Sequence, residues 1–179
     1  MTWRIDYDHD AESSEGSTIL GISDSSLASS DLAPYPVADG ITCGQASGVS
    51  ISADEGTVFA SCGFTGVLAI QGGNVTTVSP SLLTQAHQVV ASPAEPNVVY
   101  TVAEGSMIKI NLATNTSSVV IPANSIGKNC SIINGIAIDA NGGGYLTCTV
   151  DAPSLTVGGA VYAACGGSVT KIADASQCP

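Results

Sequence analysis

The chain has 179 residues, enough for one compact domain, and carries a formal net charge of −11 from 15 acidic and 4 basic side chains. That balance argues against nucleic acid, whose phosphates need a basic surface, and against anionic lipid; it permits cations, basic partners or simple solvation. Apolar residues make up 44% of the chain but aromatics only 4%, so the core must be built from Ala, Val, Ile and Leu. No run is long and apolar enough to cross a bilayer as a helix. Met1, Thr2, Trp3 and Arg4 lead straight into acidic residues, which reads as a mature form or a fragment.

β-branched residues fall on short runs punctuated by Gly, Asn, Pro and Ser, which favours strands and turns. The first unit, about 1–40, is expected to hold strands Trp3–Tyr7, Thr18–Ser23, a Ser-rich piece near Leu27–Ser30, and Tyr35–Val37. The second, about 41–82, reads as Gly48–Ser52, Thr57–Ser61, Gly66–Ile70 and Val75–Ser79. The third, about 83–124, reads as Gln88–Ser92, Asn97–Val102, Met107–Asn111 and Ser117–Ile121. The fourth, about 125–179, reads as Gly135–Asp139, Tyr145–Val150, Ala160–Ala164 and Ser168–Ala173. Four short antiparallel strands repeated four times over residues 1–179 predict an all-β, propeller-like domain. A β-sandwich is the competing fold.

One segment recurs with its cysteines. Residues 43–62 read C-x4-GVSISADEGTVFASC, and residues 130–148 read C-x4-GIAIDANGGGYLTC. Each has a Cys before a first strand and a Cys ending the second. Antiparallel pairing brings those ends together, which predicts Cys43–Cys62 and Cys130–Cys148, with Cys165–Cys178 by subtraction. The alternative is that Cys178 pairs elsewhere or with another chain. No C-x-x-C occurs, so a zinc knuckle is not expected. Three N-x-S/T sequons stand at Asn74, Asn115 and Asn129, each in an expected turn or loop. Cystines and sequons together predict an extracellular or cell-surface glycoprotein.

The motifs SISADEGTVFAS, VVASPAEPNVVYTV and AIDANGGGYLTC resemble the broad propeller class that includes NHL, YVTN and gluconolactonase-like repeats. Gluconolactonase-like enzymes hold a divalent metal at the central opening with carboxylates and Asn. Asn134 would be a match, while the Glu and Asp are missing at the equivalent places. Gln45, His87 and Asn134 precede first strands and are expected to line the axis as satisfied polar groups. Asp6, Asp8, Asp10 and Glu12 alternate as calcium ligands do, but Ala11 and Ser17 replace the turn glycine and the bidentate Glu. That run reads first as a solvated acidic turn, with calcium the alternative; no other cofactor is expected.

Nucleophile and phosphate-loop motifs are absent from the sequence: there is no G-x-S-x-G, and G-x-G-x-x-G does not follow a strand into a helix. The expected role is therefore a non-catalytic structural, adhesive or assembly module, such as a subunit of an extracellular filament or coat. Its partners would be proteins or copies of itself, with glycans as a further class. A metal-dependent lactonase-like hydrolase and a carbohydrate-binding module are the alternatives.

Overall fold

The computed structural model describes residues 2–6, 17–22, 35–41, 46–63, 65–78, 85–123, 125–126, 132–149, 159–165 and 168–174. Side-chain surroundings are described from Ser47 to Cys148 within those ranges, Ile132 excepted, and at Tyr162. All regular structure among these residues is strand, arranged in four antiparallel meanders.

Blade 1 contains β1 (Thr2–Asp6), β2 (Ser17–Ile22) and β3 (Tyr35–Ile41). Blade 2 contains β4 (Ala46–Ile51), β5 (Val58–Cys62), β6 (Gly66–Gln71) and β7 (Asn74–Val78). Blade 3 contains β8 (Ala86–Ala91), β9 (Val98–Ala103), β10 (Ser106–Asn111) and β11 (Thr116–Ile121). Blade 4 contains β12 (Ile132–Ile138), β13 (Gly144–Thr149), β14 (Gly159–Cys165) and β15 (Ser168–Asp174).

The first unit departs from expectation. β3 pairs directly with β2, so no strand lies between them. The place expected for Leu27–Ser30 is filled by Tyr35–Ile41, a longer and less Ser-rich run. Leu27–Ser30 itself lies outside the described residues.

Turn chemistry sets the tight hairpins. Gly72 and Gly73 both take positive φ (54° and 81°) in the two-residue loop between β6 and β7. That is the left-handed pair that matches strand twist in a two-residue hairpin, and glycine adopts it without a Cβ penalty. Glu104 and Gly105 (φ 50° and 73°) do the same between β9 and β10.

Each blade's first strand lies beside the first strand of the next, in the order β1, β4, β8, β12. Sheets therefore fan about an axis instead of stacking as two layers, and the architecture is propeller-like rather than a sandwich. Among the described residues β12 makes no comparable run of contacts with β1. Among the described residues the four blades thus follow one another in a row, β1 to β4 to β8 to β12.

Period-2 alternation gives each blade two packing faces. On β9, Val98, Tyr100 and Val102 join Met107 and Ile121 in a core with Ile133, Ile136, Leu146, Cys148 and Tyr162 of blade 4. The alternate residues Val99 and Ala103, with Val89, Ile108 and Ile110, pack on Phe59, Val67 and Val78 of blade 2. β9 is thus buried at all six positions, as a strand between two blades must be. The fourth strands behave differently: β7 and β11 are exposed along most of their length, as outer edges.

Pairing registers make the blades superimposable position by position. Cys62 lies opposite Ala46, Ala103 opposite Ala86, and Cys148 opposite Ile133. Three residues earlier on each second strand stand Phe59, Tyr100 and Tyr145, opposite Ser50, Val90 and Ala137.

Candidate functional site

The start of each described inner strand from blade 2 onward carries a β-bulge. The register shifts between Ala46 and Gly48, between Ala86 and Gln88, and between Ile133 and Gly135. One residue per strand is left out of the ladder: Ser47, His87 and Asn134. A bulge re-aims the extra side chain, and all three residues are exposed. A hydroxyl, an imidazole and an amide are thereby presented at equivalent places on three adjacent blades, at one end of the axis. This set can hydrogen-bond a polar ligand.

His87 and Asn134 thus stand at equivalent bulges. Gln45 lies outside the described residues, and Ser47 takes the bulge position of its blade. The signal was in the repeat, because C-x4-G aligns Ser47 with Asn134, each just before its glycine. Ser47 Oγ donates to the Ala86 carbonyl at 3.2 Å and lies 3.3 Å from Ser61 Oγ, so it also ties blade 2 to blade 3.

The residue after each bulge governs how closely the blades approach. At Gly48 an added Cβ would sit 3.0 Å from Gln88 Cα and 3.2 Å from Val89 N, so the bare glycine lets two backbones meet. Ser50 Oγ accepts the Ala91 N–H at 3.0 Å along the same seam. At the equivalent place in blade 3, Gln88 reaches across to blade 4. Its Oε1 accepts the Ile136 N–H at 2.9 Å and its Nε2 donates to the Ile136 carbonyl at 3.4 Å. The side chain behaves as an inserted peptide group between two strands that do not pair. The buried Thr101 hydroxyl donates to the Gln88 carbonyl and holds its backbone.

At the opposite ends of the inner strands, polar side chains organise the hairpins. Ser52 Oγ donates to Asp54 Oδ1 at 2.6 Å and accepts the Thr57 N–H at 2.9 Å. The Ser52 hydroxyl, followed by the Gly56 N–H, holds the Asp54 carboxyl below its usual range. Asp139 Oδ1 accepts the N–H groups of Asn141 and Gly143, each at 2.8 Å. In blade 3, Glu95 grips Lys109 with both oxygens at 2.8 Å, and that hydrogen bonding raises the lysine's pKa. Burial is the main cause that pushes the neighbouring Tyr100 phenol up.

A cleft of about 540 Å³ opens between blades 2 and 3 on this side, over Phe59 and Leu112. Asn74 and Asn115, from two different sequons, both line it. Asn74 begins β7, Asn115 precedes β11, and both are exposed. Asn129 lies outside the described residues.

Cys62 and Cys148 are disulfide-bonded. Cys43, Cys130 and Cys178 lie outside the described residues, and Cys165 ends β14 without a described side chain. Asp6 ends β1, opposite Thr18; Asp8, Asp10 and Glu12 lie outside the described residues. Among the described residues no three His, Cys, Asp or Glu side chains cluster as metal ligands.

The class is set by the fold: antiparallel blades in propeller-like array. A protein of unknown function from Bacteroides thetaiotaomicron superposes with a TM-score of 0.69 at 12% identity, over 94% of this chain and 44% of its own. A luciferin-regenerating enzyme gives 0.58 at 14% identity, over 96% of this chain and 59% of its own. A putative gluconolactonase gives 0.52 at 12% identity, over 70% of this chain and 47% of its own. The chain thus spans less than two thirds of each of these structures. At these identities the likeness is one of fold. No family model matches the chain, and no curated protein matches it.

Proposed function

We propose that the chain is a non-catalytic extracellular module that acts through protein contacts, as a structural, adhesive or assembly unit. The observation that carries this reading is that, among the described residues, blade 4 packs on blade 3 alone, with Tyr145 42% exposed on its other side. Blade 3 buries apolar faces on both sides, and a blade face left bare can receive a partner. Association through exposed blade faces and strand edges fits a subunit of a filament or surface coat. Oxidised Cys62 and Cys148 suit an oxidising compartment, and the proposed bridges are Cys43–Cys62, Cys130–Cys148 and Cys165–Cys178. The exposed Asn74 and Asn115 would carry N-linked glycans over the cleft they share, keeping the rim of blades 2 and 3 solvated. Sedimentation velocity across a wide concentration range tests the reading. Concentration-dependent association is expected, and a strictly monomeric chain that captures no protein partner overturns it.

A second reading draws on His87 and Asn134 occupying equivalent bulges on adjacent blades. A divalent metal held there, at the axis, would polarise an ester or lactone carbonyl. Only one of the three bulge residues is an imidazole and none is a carboxylate, which is why this reading stands second. Elemental analysis after dialysis, with lactone and ester turnover, separates the two.

A further inference from the structure

The cleft between blades 2 and 3 has the dimensions of a ligand site. Its volume of about 540 Å³ lies within the range of about 300–1,000 Å³ that small-molecule sites occupy. Its walls come from two blades. On the blade 2 side, Gln71 and Asn74 stand opposite each other in the register and close the Gly72–Gly73 loop. On the blade 3 side, the Asn97 carbonyl accepts the Leu112 N–H at 2.8 Å, tying together two segments that line the cleft. Asn111 Oδ1 accepts the N–H groups of Ala113 and Thr114 at 3.0 and 3.2 Å, and Asn115 follows at φ 50°. Both rims are short turns held by hydrogen bonds, so the site is formed before any ligand arrives.

The lining offers two kinds of surface. The floor is apolar, over Phe59 and Leu112. The rim carries the exposed amides of Gln71, Asn74 and Asn97 and the exposed carboxylate of Asp54. Each amide presents donors and an acceptor in one plane, which suits neighbouring hydroxyls that both give and take hydrogen bonds. The Asp54 carboxylate only accepts, and the Ser52 hydroxyl and the Gly56 N–H fix it in place. The described lining includes no Lys, Arg or His, and the whole chain has a net charge of −11. A phosphate, sulfate or carboxylate would therefore meet acceptors and repulsion, whereas a neutral hydroxyl meets neither. A sugar ring matches both surfaces, with hydroxyls for the rim and a C–H face for the floor.

We propose that this cleft binds a short neutral saccharide, held by Gln71, Asn74, Asn97 and Asp54 over the apolar floor. The site goes beyond the protein contacts proposed for the chain and does not depend on them. Such a sugar has two sources. Asn74 and Asn115 both belong to sequons and both line the cleft, so an N-linked glycan on this chain would be tethered beside it at high effective concentration. On a glycosylated Asn74 the amide becomes the linkage, and Gln71, Asn97 and Asp54 are left to hold the sugar. The other source is a glycan on another molecule, and the chemistry of recognition is the same.

The test is calorimetric titration of the full chain with N,N′-diacetylchitobiose, cellobiose and mannobiose. The chain is made once in a host without N-glycosylation and once in a secretory eukaryotic host. Binding of at least one probe by the unglycosylated chain is expected. Gln71→Ala and Asn97→Ala should each weaken it by about 2–10-fold, the worth of one neutral hydrogen bond. Thr77→Trp, at an exposed lining position on β7 outside the sequons, should abolish binding by filling the cleft while the melting temperature holds. Where that variant melts early, the double variant of Gln71→Ala and Asn97→Ala decides. A glycosylated chain that binds only after enzymatic removal of its glycans assigns the cleft to its own sugar; equal binding by both forms assigns it to another molecule's. Either supports the site. Failure of every probe on the unglycosylated chain, binding that the cleft variants leave unchanged, or a sialylated trisaccharide bound more tightly than every neutral probe overturns the proposal.

Discussion

Gln88→Met isolates the clamp between blades 3 and 4. Methionine keeps the length and flexibility of glutamine but can neither accept the Ile136 N–H, now at 2.9 Å, nor donate to its carbonyl at 3.4 Å. Ile136 sits on an inner strand whose other side pairs with β13, and its side chain is 5% exposed. Removing Gln88 therefore strands two backbone groups near a seam that water enters poorly. Leaving a buried donor or acceptor unpaired costs about 1–3 kcal/mol. For a chain of this size each kcal/mol moves the melting temperature by about 2–4 °C, so a fall of about 2–12 °C is expected. Thermal melts should be paired with urea titrations, because an unchanged m-value assigns the loss to stability rather than to a shift in compactness. Gln88→Ala should cost more, since it also removes side-chain packing. If Gln88→Met melts within about 1 °C of wild type, the clamp does not stabilise the seam and the reasoning fails.

Gly48→Ala should destabilise by about 1–3 kcal/mol through overpacking, because its Cβ would meet the Gln88 backbone at 3.0 Å. Gly56→Ala is the contrast: its nearest neighbour is the exposed Asp54 carboxylate at 3.5 Å, and a change within about 0.5 kcal/mol is expected in the same denaturation series. Non-reducing peptide maps should link Cys43 to Cys62 and Cys130 to Cys148, and reduction should cost about 3 kcal/mol per short loop; any other linkage refutes the pairing drawn from the repeat. Asp54 has a lowered carboxyl pKa, so its contribution is present above the unfolded-state value and is lost as pH falls through the folded one. The gap in melting temperature between wild type and Asp54→Ala should be constant near neutral pH and close under acid. A gap that widens on acidification refutes the assignment.

The sequence by itself determined the strand class, the blade period and the place of most hairpins. These depend on local physics: alternation of β-branched residues, and turn residues such as Gly72 and Gly73 where φ must be positive. Outside the first unit's irregular third place, each described strand falls where that local signal put one. Hairpin ends were less legible, since inner strands begin two or three residues earlier than alternation suggested, on the far side of a bulge.

Only the tertiary structure decided what the blades do to one another. A bulge is defined by the partner strand, so the pairing register, and not the position before a strand, put Ser47 in the same place as His87 and Asn134. Gln88 looked like a strand residue of no special kind, and its role exists only because Ile136 stands 48 residues away across a seam. Phe59, Tyr100 and Tyr145 are alike in sequence as aromatics on second strands. Their different exposure comes from neighbours that chain order supplies to the first two and not to the third. Local periodicity fixes which residues share a face, but what covers that face is a long-range fact.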